Sequence, residues 1–123
     1  MSAQSSSPAQ TGNTVPSPDI AVMRATVRRL LAEDAEPPSP KELDTLTLLL
    51  RGHIMMLIPE VEKATSRLPE NDVPRACALA CIGEARMRLN LEPSHTLPAG
   101  IAHAQRLARS VNALADHYEK LSS

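Results

Sequence analysis

The chain has 123 residues, which suffice for one domain with its own core and are too few for two ordinary domains. Its 13 Lys and Arg residues nearly balance 14 Asp and Glu residues, and the net charge of −1 excludes strong overall attraction to nucleic acid or anionic membranes. Tyr118 is the only aromatic residue, which argues against base stacking and favours an aliphatic helical core over a β-sheet.

The N-terminal segment predicts no structured element. Residues 1–16 are rich in Ser, Pro, Gln and Thr, and we expect a disordered tail. This segment lacks the cationic and apolar regions of a secretory signal, and no stretch of about 18 apolar residues suggests a transmembrane helix. We therefore expect a cytoplasmic protein without a membrane partner, in which the two cysteines stay reduced.

A first, short helix is predicted over about residues 18–34. Ser17 offers an N-cap oxygen, Pro18 suits the first helical position and Asp19 suits the positive end of the helix dipole. The helix fades in the Pro-rich segment EDAEPPSP. Its apolar face comprises Ile20, Met23, Val27 and Leu30.

The strongest helical pattern covers about residues 40–68. Ser39 and Glu42 have the spacing of a capping box, in which each side chain bonds to the backbone of the other residue. Pro59 is expected to kink this helix without ending it, because the apolar spacing of three and four residues continues beyond it. The apolar positions are Leu43, Leu46, Leu50, Ile54, Leu57, Val61, Ala64 and Leu68.

Two further helices are predicted over about residues 73–91 and 98–121. Asn71 or Asp72 is expected to cap the first of them. Connectors of about 5 to 8 residues then predict an all-α fold, an antiparallel bundle of three long helices. The short N-terminal helix is expected to cover the other three. The two apolar stripes comprise Ala78, Ile82, Ala85 and Leu89, followed by Leu97, Ile101, Ala104, Ala108, Val111, Ala115 and Tyr118, with Leu107, Leu114 and Leu121 on one flank.

Arg51, Gly52 and His53 interrupt the apolar segment TLTLLLRGHIMMLIPEVE. Helical geometry places Arg51 on the polar side, where Asp44 and Glu62 are potential ion-pair partners. Gly52 costs up to about 1 kcal/mol against Ala in a helix, which suggests close approach of another backbone. His53 falls at the boundary of the core, where it is either a structural histidine or the leading candidate for function.

The same helix has a second apolar side. Leu48, Met55 and Ile58 project on the side of Arg51, away from the main stripe. The helix is therefore either central in the bundle or part of a dimer interface.

Candidate polar sites elsewhere are few. His103 and Arg106 lie on the last helix, where a solvated outer flank explains them more simply than ligand or phosphate contact. His117 is interpreted in the same way. The connector EPSHTLP is too long for a helix-turn-helix, so no nucleic-acid partner is expected. Gly-rich phosphate loops and nucleophile elbows are absent from the sequence.

Cys77 and Cys81 are four residues apart on the third predicted helix. That spacing suits a disulfide poorly, and a metal site would need two more ligands. Ala76, Ala80 and Gly83 surround them, so we expect close packing of small residues, with a thiol or metal sensor as the alternative.

Three segments carry a resemblance: TLTLLLRGHIMMLIPEVE, RACALACIGEARMRL and HAQRLARSVNALADHYEKL. They resemble a family of small actinobacterial proteins of unknown biochemical function that are labelled natural product biosynthesis proteins. The resemblance covers about residues 40–121. It implies a cytoplasmic, streptomycete-type protein associated with specialised metabolism, and it supplies no catalytic residues.

These observations favour a non-enzymatic helical interaction protein, regulatory or accessory to natural product biosynthesis, with a protein partner or a second copy as its target. No cofactor or metal is expected. The rival is a small enzyme or ligand-binding protein with a pocket near His53 and Glu60 at the Pro59 kink. The candidate contacts are therefore Arg51, His53, Met55, Glu60, His103 and Arg106, with Cys77 and Cys81 as candidate thiols.

Overall fold

The computed structural model describes residues 17–122, which form four helices and no strand. The predicted disordered tail, residues 1–16, lies outside the described residues. The all-helical class is confirmed, and each helix bound lies within three residues of its predicted position. The helices are α1 (Ile20–Leu31), α2 (Pro40–Thr65), α3 (Val73–Asn90) and α4 (Leu97–Ser122).

Helix α1 begins later than the Ser17 and Pro18 pattern predicted. The Asp19 side chain is the N-cap and accepts a hydrogen bond from the backbone N–H of Val22 at 3.2 Å. An aspartate satisfies a free helical N–H and also places its negative charge at the positive end of the dipole. The prediction of Ser17 as the cap is therefore wrong, and Pro18 is buried just outside the helix.

The caps of α2 and α3 follow the sequence signals. The Ser39 hydroxyl accepts from the backbone N–H of Glu42 at 3.2 Å. Asp72 caps α3 by accepting from the N–H of Arg75 at 2.9 Å, which selects it over Asn71. Both side chains satisfy backbone donors that have no partner inside the helix.

Helices α2 and α4 form the centre of the fold. Their mutual contact is the most extensive, and each of them also contacts α1 and α3, whereas α1 and α3 share no contact within residues 17–122. The prediction that α1 covers all three other helices is therefore wrong, because it packs only on α2 and α4. The largest completely enclosed side chains all belong to α2 and α4: Leu50, Ile54, Leu57, Val61, Leu107, Val111 and Leu114.

The close helix approach occurs at Gly100, in the first turn of α4. A Cβ added there would lie 2.9 Å from Cδ2 of Leu43 on α2. This contact places the first turns of α2 and α4 side by side.

Helix α3 is buried along its predicted apolar stripe. Its buried residues are Ala78, Ile82 and Ala85, two of which are small.

Two arginines tie α1 to the central pair. Arg24 forms ion pairs with Asp116 at 2.8 Å and with Glu119, both on α4. Arg29 binds both carboxylate oxygens of Glu42, at 2.6 and 2.7 Å. The side-chain hydrogen bonds from Arg29 are the main cause of the lowered pKa of Glu42, and the Ser39 backbone N–H lowers it further.

Helix α2 continues without interruption through Pro59, as the apolar spacing predicted. Within residues 17–122, no helix combines the length and the hydropathy needed to cross a membrane.

Candidate functional site

Arg51 reaches the last turn of α3. Its Nη1 donates a hydrogen bond to the backbone carbonyl of Leu89 at 2.8 Å. The C-terminal carbonyls of a helix lack partners inside it and attract cations, which explains this choice. The predicted ion pairs are not formed, and Glu62 instead binds Arg86 at 2.9 Å. The half-buried Arg51 thus has one donor engaged and no carboxylate partner within the described residues.

Gly52 faces solvent. A Cβ added there would meet no atom of another helix within 4 Å. The close approach predicted for Gly52 therefore does not occur within the described residues, 17–122. The glycine leaves a gap on an exposed helix surface.

His53 lies at the core boundary, as predicted, and contacts α1. Its Nε2 is 3.2 Å from the hydroxyl of Thr26, which in turn lies 3.2 Å from the Val22 carbonyl. When the single hydroxyl proton of Thr26 goes to that carbonyl, Nε2 of His53 is the donor. Burial lowers the pKa of His53, so the neutral ring is favoured.

The second apolar side of α2 divides between core and solvent. Ile58 is buried, at 6% exposure, whereas Leu48 and Met55 are 71% and 57% exposed. We call the exposed part the outer face of α2. It comprises Leu48, Leu49, Gly52, Met55 and Met56.

His103 is buried, at 5% exposure, so the prediction that it lies on a solvated flank is wrong. Neighbouring elements of the fold cover this part of α4, which the pattern of α4 alone does not show. Burial is the main cause of the lowered pKa of His103, and the positive charges of Arg51 and Arg106 lower it further. No hydrogen bond to the His103 ring occurs within residues 17–122.

Arg51 and His103 line the same open cavity, of about 1040 Å³. Its walls come from the first half of α2, the connector between α3 and α4, and the first turns of α4. Three of its lining residues are exposed leucines: Leu48, Leu91 and Leu97. The sequence did not predict this cavity, because Arg51 and His103 are 52 positions apart and line the same cavity only through helix packing.

The remaining candidates are dispersed. Met55 lies on the outer face of α2 and Arg106 is exposed on α4. Glu60 is half-buried beside Pro59, and neither it nor His53 lines the cavity of Arg51 and His103. The structure therefore brings together Arg51 and His103 from the candidate set and leaves the others apart.

The two cysteines occupy different environments. Cys77 is exposed, together with Ala76, Ala80 and Gly83, so the predicted close packing of these small residues is wrong. Cys81 is half-buried against the core, and burial is the main cause of its raised pKa. A raised pKa reduces the thiolate fraction on which thiol reactivity depends.

No group of three or more His, Cys, Asp or Glu side chains is arranged to hold a metal ion within residues 17–122. The described residues form an all-helical protein with an open cavity beside Arg51 and His103 and an exposed apolar face on α2. Residues 21–123 match the family of unknown function DUF6415, and the chain belongs to that family. The match includes α1, which the resemblance of residues 40–121 left out. No curated protein and no solved structure matches the chain significantly.

Proposed function

We propose that this chain is a non-enzymatic interaction protein that acts as a homodimer, with the outer face of α2 as its contact surface. One observation carries the proposal: four large apolar side chains of this face are 45–71% exposed. Contiguous exposed apolar surface is a mark of interaction sites, whereas single exposed residues are ordinary. Between Asp44 and Glu60 the only charged side chain is Arg51, which is directed to α3.

The pattern of the face favours a second copy of the chain as the partner. Leu48 and Leu49 precede Gly52 by four and three residues, and Met55 and Met56 follow it by three and four. A two-fold axis through Gly52 therefore pairs leucines of one copy with methionines of the other. Such self-complementarity is what an isologous dimer requires.

Gly52 suits the centre of this contact. Its missing side chain lets a second helix approach closely, and no residue between positions 17 and 122 of its own chain uses the space. The pattern from Leu48 to Met56 extends only about 12 Å along the helix. The interface is consequently at the small end of specific interfaces, and we expect a reversible dimer with a micromolar dissociation constant.

The wider proposal combines this surface with the resemblance of three segments. The chain serves specialised metabolism in an accessory or regulatory role, in the cytoplasm, through its dimer. Its consecutive long helices alternate in direction as an antiparallel bundle. The contact between the first turns of α2 and α4 supports that arrangement, because two helices separated by one antiparallel helix begin at the same end.

Sedimentation velocity of the full chain over a concentration series tests the dimer. We expect the mass to rise from monomer to dimer across the micromolar range. Met55→Glu introduces a charge into the face and is expected to give a monomer at all these concentrations. Met87→Glu on α3 is the matched control, because Met87 is 66% exposed and lies outside the face.

Circular dichroism of both variants establishes that their helical content is unchanged. A wild-type chain that stays monomeric throughout the series would overturn the homodimer. Equal dissociation constants for wild type and Met55→Glu would show that another surface associates. If the chain did not self-associate and the same face bound a different protein, that protein would be the partner and the homodimer would be refuted.

A further inference from the structure

The cavity beside Arg51 and His103 has a chemical character that the proposed dimer does not use. His103 is 95% buried and yet has no hydrogen-bond partner among the described residues. The ring nitrogens keep access to solvent, since Nε of Arg75 is the one side-chain nitrogen or oxygen within residues 17–122 that is enclosed without a partner. Because the ring lines an open cavity, a ligand has access to it.

The charges nearest this ring are positive. Arg51 contributes a guanidinium with one donor bound to the Leu89 carbonyl and further N–H groups unused. The first turn of α4, capped by Thr96, also forms part of the wall and carries the positive end of a helix dipole. No carboxylate contributes to the pKa shift of His103, whereas two arginines do.

Exposed leucines form the apolar part of the wall. Leu48, Leu91 and Leu97 are 71%, 54% and 39% exposed, and all three line the cavity. Leu91 in the connector and Leu97 on α4 lie outside the outer face of α2, and no side chain within residues 17–122 covers them. A ligand with an apolar body would bury them.

We propose that this cavity binds a small monocarboxylate with an apolar body, whose carboxylate contacts Arg51 and His103 while its body lies on Leu91 and Leu97. A planar guanidinium matches the geometry of a carboxylate. Asp44 and Glu92 also line the cavity, and both are exposed. Their negative charges disfavour a dianion such as a phosphate monoester more strongly than a monoanion.

Isothermal titration calorimetry of the full chain with octanoate is the test, and octanol and octyl phosphate are the comparison ligands. We expect saturable octanoate binding with about tenfold lower affinity for octanol, which lacks the charge. Arg51→Gln should reduce the octanoate affinity about tenfold and leave the octanol affinity unchanged. Arg109→Gln, an exposed arginine on α4, is the matched control and should bind octanoate as the wild type does.

Nuclear magnetic resonance of the imidazole groups locates the ligand independently of any variant. Octanoate should shift the His103 ring signals and leave those of His117, further along α4, unchanged. Octanoate that fails to bind, or that binds Arg51→Gln as tightly as wild type, would overturn the site. Equal affinity for octanol and octanoate would show that the cavity does not recognise an anion. Tighter binding of octyl phosphate than of octanoate would show that the cavity prefers a phosphate to a carboxylate.

The same experiments separate this site from the dimer. Met55 does not line the cavity, so Met55→Glu should bind octanoate normally even when the chain is monomeric. Loss of octanoate binding in that variant would contradict an independent site.

Discussion

Replacing Gly52 by alanine should affect folding and association in opposite directions. Gly52 lies inside α2, is exposed, and has no atom of another helix within 4 Å of an added Cβ. Alanine at such a helical position is favoured over glycine by about 1 kcal/mol, because the unfolded chain loses conformational freedom. For a domain of about 100 residues this corresponds to an increase in Tm of about 4–8 °C.

The dimer should respond in the other direction. At the two-fold axis, Gly52→Ala inserts one methyl group from each copy where the two α2 helices approach. We expect the dissociation constant to rise about tenfold, which corresponds to about 1.4 kcal/mol. Thermal unfolding by circular dichroism below the dissociation constant measures the first effect, and sedimentation velocity measures the second.

Gly83→Ala provides the matched control. Gly83 is also exposed inside a helix, and a Cβ added there likewise meets nothing within 4 Å. Both variants should raise the Tm of the monomer similarly, and only Gly52→Ala should weaken the dimer. If Gly52→Ala left the dissociation constant unchanged, the two-fold axis through Gly52 would be refuted. If Gly52→Ala lowered the monomer Tm while Gly83→Ala raised it, the open space around Gly52 would be refuted.

Three further predictions concern the fold. Leu50→Ala, at a completely buried position of α2, should lower the free energy of unfolding by about 2–5 kcal/mol in urea titrations, and a loss below about 1 kcal/mol would contradict the core assignment. Asp72→Ala removes the α3 cap and should cost about 1 kcal/mol, with recovery in Asp72→Asn; an equal loss in both variants would argue against the cap. Burial lowers the pKa values of His53 and His103 from 6.5, so the unfolded chain takes up protons first as the pH falls. Stability should therefore be complete above about pH 6.5 and decrease below it, as measured by urea unfolding across that range, and the double replacement by glutamine should flatten this dependence.

The helices could be predicted from local signals. The apolar spacing of three and four residues identified the buried faces of α1, α2 and α4, because a helix buries one stripe whatever its partner. Ser39 and the pair Asn71 and Asp72 marked helix starts in the sequence, since a cap acts within three residues of its own position. The structure selects Asp72 from that pair. Asp19 shows the limit of such signals: the sequence pattern placed the cap at Ser17, whereas the Asp19 side chain accepts the hydrogen bond from the Val22 N–H.

The candidate site depended on contacts between residues distant in sequence. Periodicity placed Arg51 on the polar side of α2. It could not show that Arg51 donates a hydrogen bond to a backbone carbonyl of α3 and forms no ion pair with Asp44 or Glu62. His103 was predicted at the surface because it lies on the outer flank of the apolar stripe of α4, and only the packed structure shows that the residue is buried. Likewise, the sequence predicted close helix packing at Gly52. The structure shows open space around Gly52 and the close contact at Gly100.

The sequence by itself determined the all-helical class, the positions of the four helices and most of their buried faces, because these follow from short-range hydrogen bonding and hydrophobic periodicity. Tertiary structure alone decided that α2 and α4 form the centre, that Arg51 and His103 share a cavity, and that the outer face of α2 stays uncovered. The physical reason is that a helix specifies which of its residues lie on one face, whereas the neighbouring helices determine what that face meets.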